Sequence, residues 1–257
     1  MTRGLYIAGT GMMFQRRKME TITNNITNAE TVGYKRDELV SHTFDDVMIE
    51  RYNDYEDSSI VSRRKAVGPL TFGVQVDQIF TDTKTIGNFE ETSKTTDLLL
   101  TGGGYFVLET GEGERYSKAG AFTINSLGYL TDGPGHYLLG TEGRIFVGSD
   151  DFKVNELGEV YVNDEWVNTV RIMGFNDEGQ LRKQGDNLYY DAGNGQPYEW
   201  PNDSVLKQGF LENSNVDVGR EMVEMLVTYR AYETNQRMVQ MIDQINGKAV
   251  NEIGRLR

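Results

Sequence analysis

The side chains that could support catalysis or metal binding are few in this chain of 257 residues. Cysteine is absent, and the two histidines, His42 and His136, do not lie at a metal-ligand spacing from each other. Tetrahedral metal sites need three or four convergent ligands. The acidic pairs at 45–46 and 150–151 lack the alternating oxygen ligands of a calcium loop. We therefore predict no catalytic residue, no metal and no cofactor.

The glycine run Gly102, Gly103 and Gly104 has the composition of a phosphate-binding loop. It lacks the Lys-Ser/Thr pair of a P-loop and the spacing of a dinucleotide-binding turn. A tight turn between two strands is the better interpretation.

Three other glycines recur in the pattern Asn-x-x-Gly-x-aliphatic, namely Gly128, Gly158 and Gly179. Each can supply the positive φ that closes a hairpin, and the aliphatic residue then starts the returning strand. Short apolar runs separated by Gly, Asn and Asp surround these positions, which is typical of an antiparallel sheet. The runs lie at 74–76, 98–100, 105–108, 121–124, 145–147, 160–162 and 170–172.

The fourteen tyrosines allow two interpretations. Their rings could stack on sugars, or they could fill sheet cores and protein interfaces, where an apolar ring and a polar hydroxyl both find partners. We favour the interface interpretation and expect no small-molecule substrate.

Helix packing, rather than chemistry, explains the pattern at the two ends of the chain. Apolar residues there alternate at spacings of three and four, which indicates the seam of a helix packed along another helix. The N-terminal seam has Gln15 as its polar member, and its apolar members are Leu5, Ala8, Met12, Met19, Ile22, Ile26 and Ala29. The C-terminal seam comprises Val218, Met222, Met225, Tyr229 and Tyr232 and, after a slip in phase, Val239, Ile242, Ala249, Ile253 and Leu256.

The first helix is predicted from about Gly4 to about Ala29, with Gly33 as its left-handed C-terminal residue. Its many Gly, Thr and Asn residues lower helix propensity. We therefore expect this end to be disordered in a free monomer and helical only when packed. The last helix is predicted from Val218 to Arg257, with Ser214, Asn215 or Asp217 as its N-cap.

An amide-rich stretch, with Asn24, Asn25 and Asn28, lies beside the first seam. It can be a fraying helix end. Alternatively, its amides bond to neighbouring helices and fix their register, as a buried Asn does in coiled coils.

Charge is unevenly distributed along the chain, whose net charge is −13. Residues 41–214 carry −15, whereas residues 1–40 carry +2 and residues 215–257 carry none. An acidic middle argues against nucleic-acid binding, which requires a basic face. We expect no cleaved signal peptide, because the apolar segment after Arg3 is interrupted by Gly9.

These observations predict an α+β protein in which long N- and C-terminal helices form a coiled-coil-like pair around a central antiparallel β-rich domain. The expected segments are an assembly helix at 1–36, a connecting arm or loop at 37–72, a β-rich region at 73–207 and a second assembly helix at 208–257.

Three ordered motifs resemble the flagellar basal-body rod and hook protein family. Residues 23–29 and 31–35 (TNNITNA, TVGYK) resemble its amino-terminal signature, and residues 99–106 (LLTGGGYF) its central strand-turn-strand. Residues 208–217 (QGFLENSNVD) with 230–235 (RAYETN) resemble its carboxy-terminal signature.

The resemblance implies a non-enzymatic structural protein of the bacterial flagellum basal body, with a role in motility. It implies export through the flagellar type III apparatus and assembly into a helical polymer with other copies and with other rod and hook proteins. The length favours a rod component over a hook-type subunit. Within the rod, the resemblance places the distal position before the proximal one. The candidate residues of the assembly interface are the seam residues, the three asparagines and five residues from the motifs. Those five are Gly33, Tyr34, Asn215, Arg230 and Glu233.

Two other classes compete with this interpretation. One is a secreted β-sheet carbohydrate-binding protein or enzyme with oligomerising helical ends, and the other is a cytoplasmic coiled-coil scaffold.

Overall fold

The computed structural model describes residues 2–51, 65–193, 196–200 and 204–253. The chain divides into two compact units. One, the helical unit, comprises residues 1–24, 37–80 and 219–257. The other, the body unit, comprises residues 25–36 and 81–218. The protein is therefore α+β, with a helix at each end and an antiparallel β-rich region between them.

Two long helices dominate the helical unit. Helix α1 spans Thr2–Thr27, and helix α2 spans Val218–Lys248 and continues as a π-helical turn over Ala249–Ile253. Helix α1 is continuous through its Gly- and Thr-rich stretch, where Ala8 and Ile22 are buried. Tertiary packing thus outweighs the low propensity of the sequence.

Four strands complete the helical unit: β1 (Asp37–Thr43), β2 (Val47–Arg51), β3 (Lys65–Leu70) and β4 (Val74–Thr81). Strand β1 pairs with β4, and β2 pairs antiparallel with β3. Regular β structure therefore begins at Asp37, earlier than the position near Gly73 that the sequence indicates. The charged residues of β1 hide its alternation, although Asp37 is buried and Glu38 is exposed.

Seventeen short strands lie in the described residues of the body unit. They are β5 (Phe89–Glu91), β6 (Leu98–Thr101), β7 (Tyr105–Thr110), β8 (Gly113–Ser117), β9 (Thr123–Ile124), β10 (Leu130–Thr131), β11 (Tyr137–Gly140), β12 (Gly143–Arg144), β13 (Phe152–Val154), β14 (Glu159–Val162), β15 (Glu165–Thr169), β16 (Ile172–Phe175), β17 (Leu181–Gly185), β18 (Leu188–Asp191), β19 (Pro197–Glu199), β20 (Val205–Gln208) and β21 (Phe210–Glu212).

The largest sheet has the order β17-β18-β8-β7-β11-β10-β9, with β12 on β11, β16 on β7 and β19 on β16. A three-stranded sheet, β13-β14-β15, and two pairs, β20-β6 and β21-β5, lie outside it. The recorded pairings of these strands are antiparallel, as expected from the turn-rich sequence.

Strand β7 separates two hydrophobic cores. Its residues alternate between them because successive side chains point to opposite faces of a strand. Phe106 and Leu108 belong to the larger core, and Tyr105 and Val107 to the smaller one. All four are almost inaccessible to solvent. The body unit therefore buries apolar side chains on both faces of its central strand.

The predicted turns differ in their outcome. Gly128 and Gly158 adopt φ values of 85° and 79° and lie in the β9-β10 and β13-β14 hairpins. Gly179 instead lies in a 3₁₀ turn, because the Asp177 carboxylate accepts its amide hydrogen. The strands on either side of that turn, β16 and β17, are not neighbours in the sheet.

The glycine run at 102–104 connects β6 and β7, and Gly102 and Gly104 have positive φ. Gly33 also has a positive φ of 66°, but α1 ends six residues before it. The left-handed residue therefore closes a turn after the helix and is not its immediate C-terminal cap.

Candidate assembly surface and junction cluster

Helices α1 and α2 run in opposite directions where their side chains meet in the helical unit. A Cβ atom on Gly4 would lie 3.2 Å from Ile242, and one on Gly11 would lie 2.9 Å from Asn235. Nearer the C-terminal end of α1, Lys18 Nζ lies 2.8 Å from a carboxylate oxygen of Glu224, near the N-terminal end of α2. The two glycines thus let larger side chains of α2 approach the backbone of α1.

The less exposed positions of α2 include an unbroken 3-4 series. Its members are Glu221, Met225, Thr228, Tyr232, Asn235, Val239, Ile242, Asn246 and Ala249. This series needs no slip in phase, unlike the seam inferred from the sequence. It passes through Glu221 and Thr228, whereas Met222 and Tyr229 are 53% and 51% exposed. The apolar pattern alone missed this register because four of its positions hold polar residues.

Side chains from both helices line a groove of about 620 Å³ in the helical unit. Leu5, Met12 and Tyr232, which the sequence marks as interface candidates, all line it. Val239 contributes from α2, and Tyr6 and Met13 from α1. The groove is therefore largely apolar, with Arg16 as a charged member.

A second apolar surface covers the outer positions of α2. Large hydrophobic side chains there are exposed by a third or more. They are Val218, Met222, Val223, Leu226, Val227, Tyr229, Met238, Met241, Ile245 and Val250. Helices that serve only their own domain normally present polar residues on this side. This surface is therefore a candidate interaction site, because large exposed apolar patches of soluble proteins usually mark one.

The other candidate residues of the helices vary in exposure. Ala8 and Ile22 are buried, and Met19, Ile26, Asn28, Met225, Glu233 and Ile242 are half-buried. Asn24 and Arg230 are exposed. The backbone of Ile253 is described, but its side chain is not. Leu256 lies in the segment 254–257, which is outside the described residues.

The segment after α1 is anchored within the body unit. The Tyr34 hydroxyl donates to Asn25 Oδ1 at 3.1 Å, and both residues are buried. The Gly33 amide donates to the Glu212 carbonyl at 2.7 Å. Gly33 also packs so tightly that a Cβ atom would lie 2.6 Å from the backbone nitrogen of Ala119. Glycine is therefore required there by both its φ and its surroundings.

A buried ion pair joins the two terminal signatures. Lys35 Nζ lies 2.7 Å from Glu212 Oε1, and the two side chains are 2% and 6% exposed. Lys35 Nζ also donates to the Thr85 carbonyl at 2.8 Å, and the Gly87 amide donates to the same glutamate oxygen at 2.9 Å. Removing one partner of such a pair leaves an uncompensated buried charge, which costs about 3–5 kcal/mol.

Asn215 extends these contacts to the start of α2. Its Oδ1 accepts the Arg36 amide at 2.7 Å. Its Nδ2 donates to the carbonyls of Asp82 and Thr85 at 3.0 and 3.2 Å. We call this group of body-unit residues the junction cluster: Lys35, Arg36, Asp82, Thr85, Glu212 and Asn215.

Lys118 lies close to the junction cluster in the body unit. It is 7% exposed, and its Nζ donates to the Gly102 carbonyl at 3.3 Å. Burial, reinforced by the nearby charge of Lys35, lowers the pKa of Lys118 to about 8, although Glu212 and Glu178 act in the opposite direction. Burial also raises the pKa of Tyr105 well above its usual range.

Sequence reasoning did not single out Lys35, Lys118, Glu212 or Glu221 as site residues. The only available signal was position, since Lys35 and Glu212 lie inside the two terminal signature motifs. Lys118 and Glu221 also lie in segments that resemble the family, at 116–122 and 221–223, but their burial depends on the tertiary structure.

Within the described residues, no group of three or more His, Asp and Glu side chains is arranged to hold a metal ion. His136 Nδ1 instead lies 2.8 Å from Asp132 Oδ2. Neither helix, over its described length, has a stretch both long and apolar enough to cross a bilayer.

A long helix at each end of the chain, exposed apolar side chains along α2 and an antiparallel β-rich unit are features typical of structural subunits. The family described as "Flagella basal body rod protein" matches residues 5–35. The C-terminal family described as "Flagellar basal body rod FlgEFG protein C-terminal" matches residues 207–252.

Comparison with curated proteins extends the similarity over the whole chain. The flagellar hook-basal body complex protein FlhO of Bacillus subtilis is 32% identical over 100% of both chains. The flagellar basal-body rod protein FlgG of Bacillus subtilis is 31% identical, over 98% of this chain and 99% of its own. FlgG of Agrobacterium fabrum is 30% identical over 95% and 96%. The chain belongs to the flagellar basal-body rod protein family, which confirms the resemblance inferred from its motifs.

Proposed function

We propose that this protein is a structural subunit of the bacterial flagellar basal-body rod, at its distal position, and that it polymerises through its terminal helices. Family membership supports a place in a multi-subunit rod with other rod and hook proteins. Relatives named FlgG favour the rod over a hook-type subunit. Export through the type III apparatus, without cleavage of a signal peptide, belongs to the same proposal.

The exposed apolar surface of α2 is the observation that carries the proposal. Leu226 is 60% exposed and Met222 is 53% exposed. Burying side chains of this size yields about 1.5–3 kcal/mol each. Repeated along a helix of 31 residues, this gain can drive association of many copies.

We also propose that α1 and α2 form a coiled-coil-like pair in each subunit. The 3-4 series of α2 supports it, as do the approaches of Gly4 to Ile242 and of Gly11 to Asn235. The ion pair between Lys18 and Glu224 fixes the same register. The predicted interface residues outside this pair, such as Met222 and Tyr229, then face neighbouring copies.

Substitution of Met222 by Asp tests polymerisation. The Met222 side chain is half exposed in the single chain. Met222→Asp should therefore leave the free energy of unfolding of the monomer, measured by thermal unfolding, within about 0.5 kcal/mol of the wild-type value. It should abolish polymers seen by sedimentation and electron microscopy, since a charge would be buried between copies. Gln236→Asp, at an exposed polar position of α2, is the matched control and should polymerise. Normal polymers from Met222→Asp would refute the proposed interface.

The carbohydrate-binding or enzymatic alternative has less support. Among the tyrosines that could stack on sugars, Tyr189 is buried in the smaller core. Trp200 packs against the larger core, and Tyr190 is 38% exposed. These aromatic residues therefore contribute to the packing of the body unit, and we propose that the protein has no enzymatic activity.

A further inference from the structure

The two terminal helices have opposite ends at the same small region of the body unit. The last three residues of α1, Asn25 to Thr27, belong to the body unit, and so does Val218, the first residue of α2. The junction cluster lies between them in the chain: the Glu212 carbonyl accepts the Gly33 amide shortly after α1, and Asn215 lies three residues before α2.

Starting a helix is the unfavourable step of helix formation. The first turn fixes several backbone dihedrals for a single hydrogen bond, with a nucleation constant of about 10⁻³. Helix α1, with Gly9, Thr10 and Gly11 in its interior, is a poor candidate for spontaneous nucleation. A turn that the body unit already holds in place would remove this step.

The structure shows how the end of α1 is held. Asn25 is buried and accepts the Tyr34 hydroxyl, while the Gly33 amide is bonded to the Glu212 carbonyl. The Asn187 side chain donates to the Val32 carbonyl at 3.0 Å, and Lys183 Nζ lies 4.1 Å from the Tyr34 ring centroid. These contacts come from the body unit alone and need no second copy of the chain.

The start of α2 is held by the same group of residues. Asn215 bonds to the Arg36 amide and to two carbonyls of the segment 82–85. The Ser214 hydroxyl accepts the Val216 amide at 3.2 Å, directly before the helix. One network therefore fixes the backbone at the end of α1 and at the beginning of α2.

We infer that the junction cluster is a nucleation anchor for both terminal helices. Helix α1 grows from its C-terminal end and α2 from its N-terminal end, even in an isolated copy of the chain. Helical order then decreases with distance from the anchor until partner copies stabilise the outer turns. The anchor is independent of polymerisation, so the inference can fail while the proposed function holds, and the reverse.

The anchor is separate from the two hydrophobic cores. Neither core contains a junction-cluster residue. Weakening the neutral hydrogen bonds of Asn215 should thus loosen the helices without unfolding the sheet around β7. A purely structural role in the core would not separate these two effects.

Hydrogen-deuterium exchange of the full chain, at a concentration below that of polymer formation, tests the inference. In the wild type, protection should decline from residue 24 towards residue 4 and from residue 219 towards residue 248. In Asn215→Ala, amide exchange in the anchored halves of both helices should accelerate at least tenfold. Exchange of residues 105–108 should not change.

Two further variants make the result specific. Tyr34→Phe removes the hydroxyl that bonds to Asn25, so it should accelerate exchange in α1 and leave α2 unchanged. Arg144→Met removes an exposed ion pair with Glu109 elsewhere in the body unit and should alter neither helix.

Three results would overturn the inference. One is unchanged helix exchange in both Asn215→Ala and Tyr34→Phe. Another is acceleration of residues 105–108 in step with the helices, which would make the cluster part of the global core. The third is wild-type protection that is strongest at the outer ends of the helices.

Discussion

The body unit and the helical unit differ in how far their large apolar side chains are buried. The body unit buries Phe106, Leu108, Tyr105 and Val107 on both faces of one strand. The helical unit leaves Met222, Leu226 and other large apolar side chains of α2 exposed. The first unit closes its own cores, whereas the second has apolar surface that only additional contacts can cover.

Charge follows the same division. The body unit carries a net charge of −12, whereas the helical unit carries −1. Closely packed helices gain from low net charge, because like charges repel across an interface. A strongly charged body favours solubility. The two units therefore differ in net charge and in exposed apolar surface. The following changes test where the boundary between them falls.

Two truncations should give the largest difference in stability. Removing residues 1–24 should leave the unfolding free energy of the body unit nearly unchanged. Removing residues 1–36 also removes Lys35 and leaves Glu212 as an unpaired buried charge, so it should lower that free energy by about 3–5 kcal/mol. Urea unfolding monitored by near-ultraviolet circular dichroism measures both. Equal stability of the two truncations would place the boundary at residue 36.

Gly33→Ala should destabilise the body unit by about 2 kcal/mol or more. The new Cβ would meet the backbone of Ala119, and a left-handed φ of 66° by itself costs a non-glycine residue about 1–2 kcal/mol. Gly111→Ala, at a position with open space, is the control. Thermal unfolding of both variants checks the prediction, and equal melting temperatures would contradict the tight packing around Gly33.

Lys118 should make the body unit more stable as the pH rises above 8. Its pKa is about 8 in the folded chain and 10.5 without burial, so the unfolded state binds more protons between these values. Stability should therefore increase by about 1–3 kcal/mol between pH 8 and pH 10. Above pH 10 the gain should reverse, because Tyr105, whose pKa is raised by burial, ionises first in the unfolded chain.

Lys118→Met should abolish this rise, and Lys153→Met should retain it because the Lys153 side chain is 77% exposed. Urea unfolding at half-unit steps of pH measures the slope. A rise that persists in Lys118→Met would assign it to another group.

Two glycine substitutions in α1 should give the smallest effects, and of different size. Gly9→Ala meets no atom within 4 Å, so it should stabilise the helix by about 0.5–1 kcal/mol. Gly11→Ala would crowd the Asn235 amide and should gain less or lose stability. Far-ultraviolet circular dichroism during thermal unfolding compares them. An equal gain would mean that α2 does not closely contact α1 at Gly11.

Sequence patterns predicted the elements whose signal is local. The 3-4 spacing indicated both long helices, and the Asn-x-x-Gly pattern found the turns at Gly128 and Gly158. The same pattern failed at Gly179, where a neighbouring aspartate caps a 3₁₀ turn. The start of α2 at Val218 also agreed with its sequence, because an acidic and polar segment precedes the apolar spacing.

The class of fold and the family could be predicted from the sequence, because amphipathic spacing, turn residues and signature motifs are properties of short segments. The burial of α2 along Glu221 and Thr228 and the pairing of Lys35 with Glu212 could not. Both depend on which distant residues become neighbours. A charged side chain is stable inside a protein only when a partner compensates its charge. For Lys35 that partner, Glu212, lies 177 positions away in the chain.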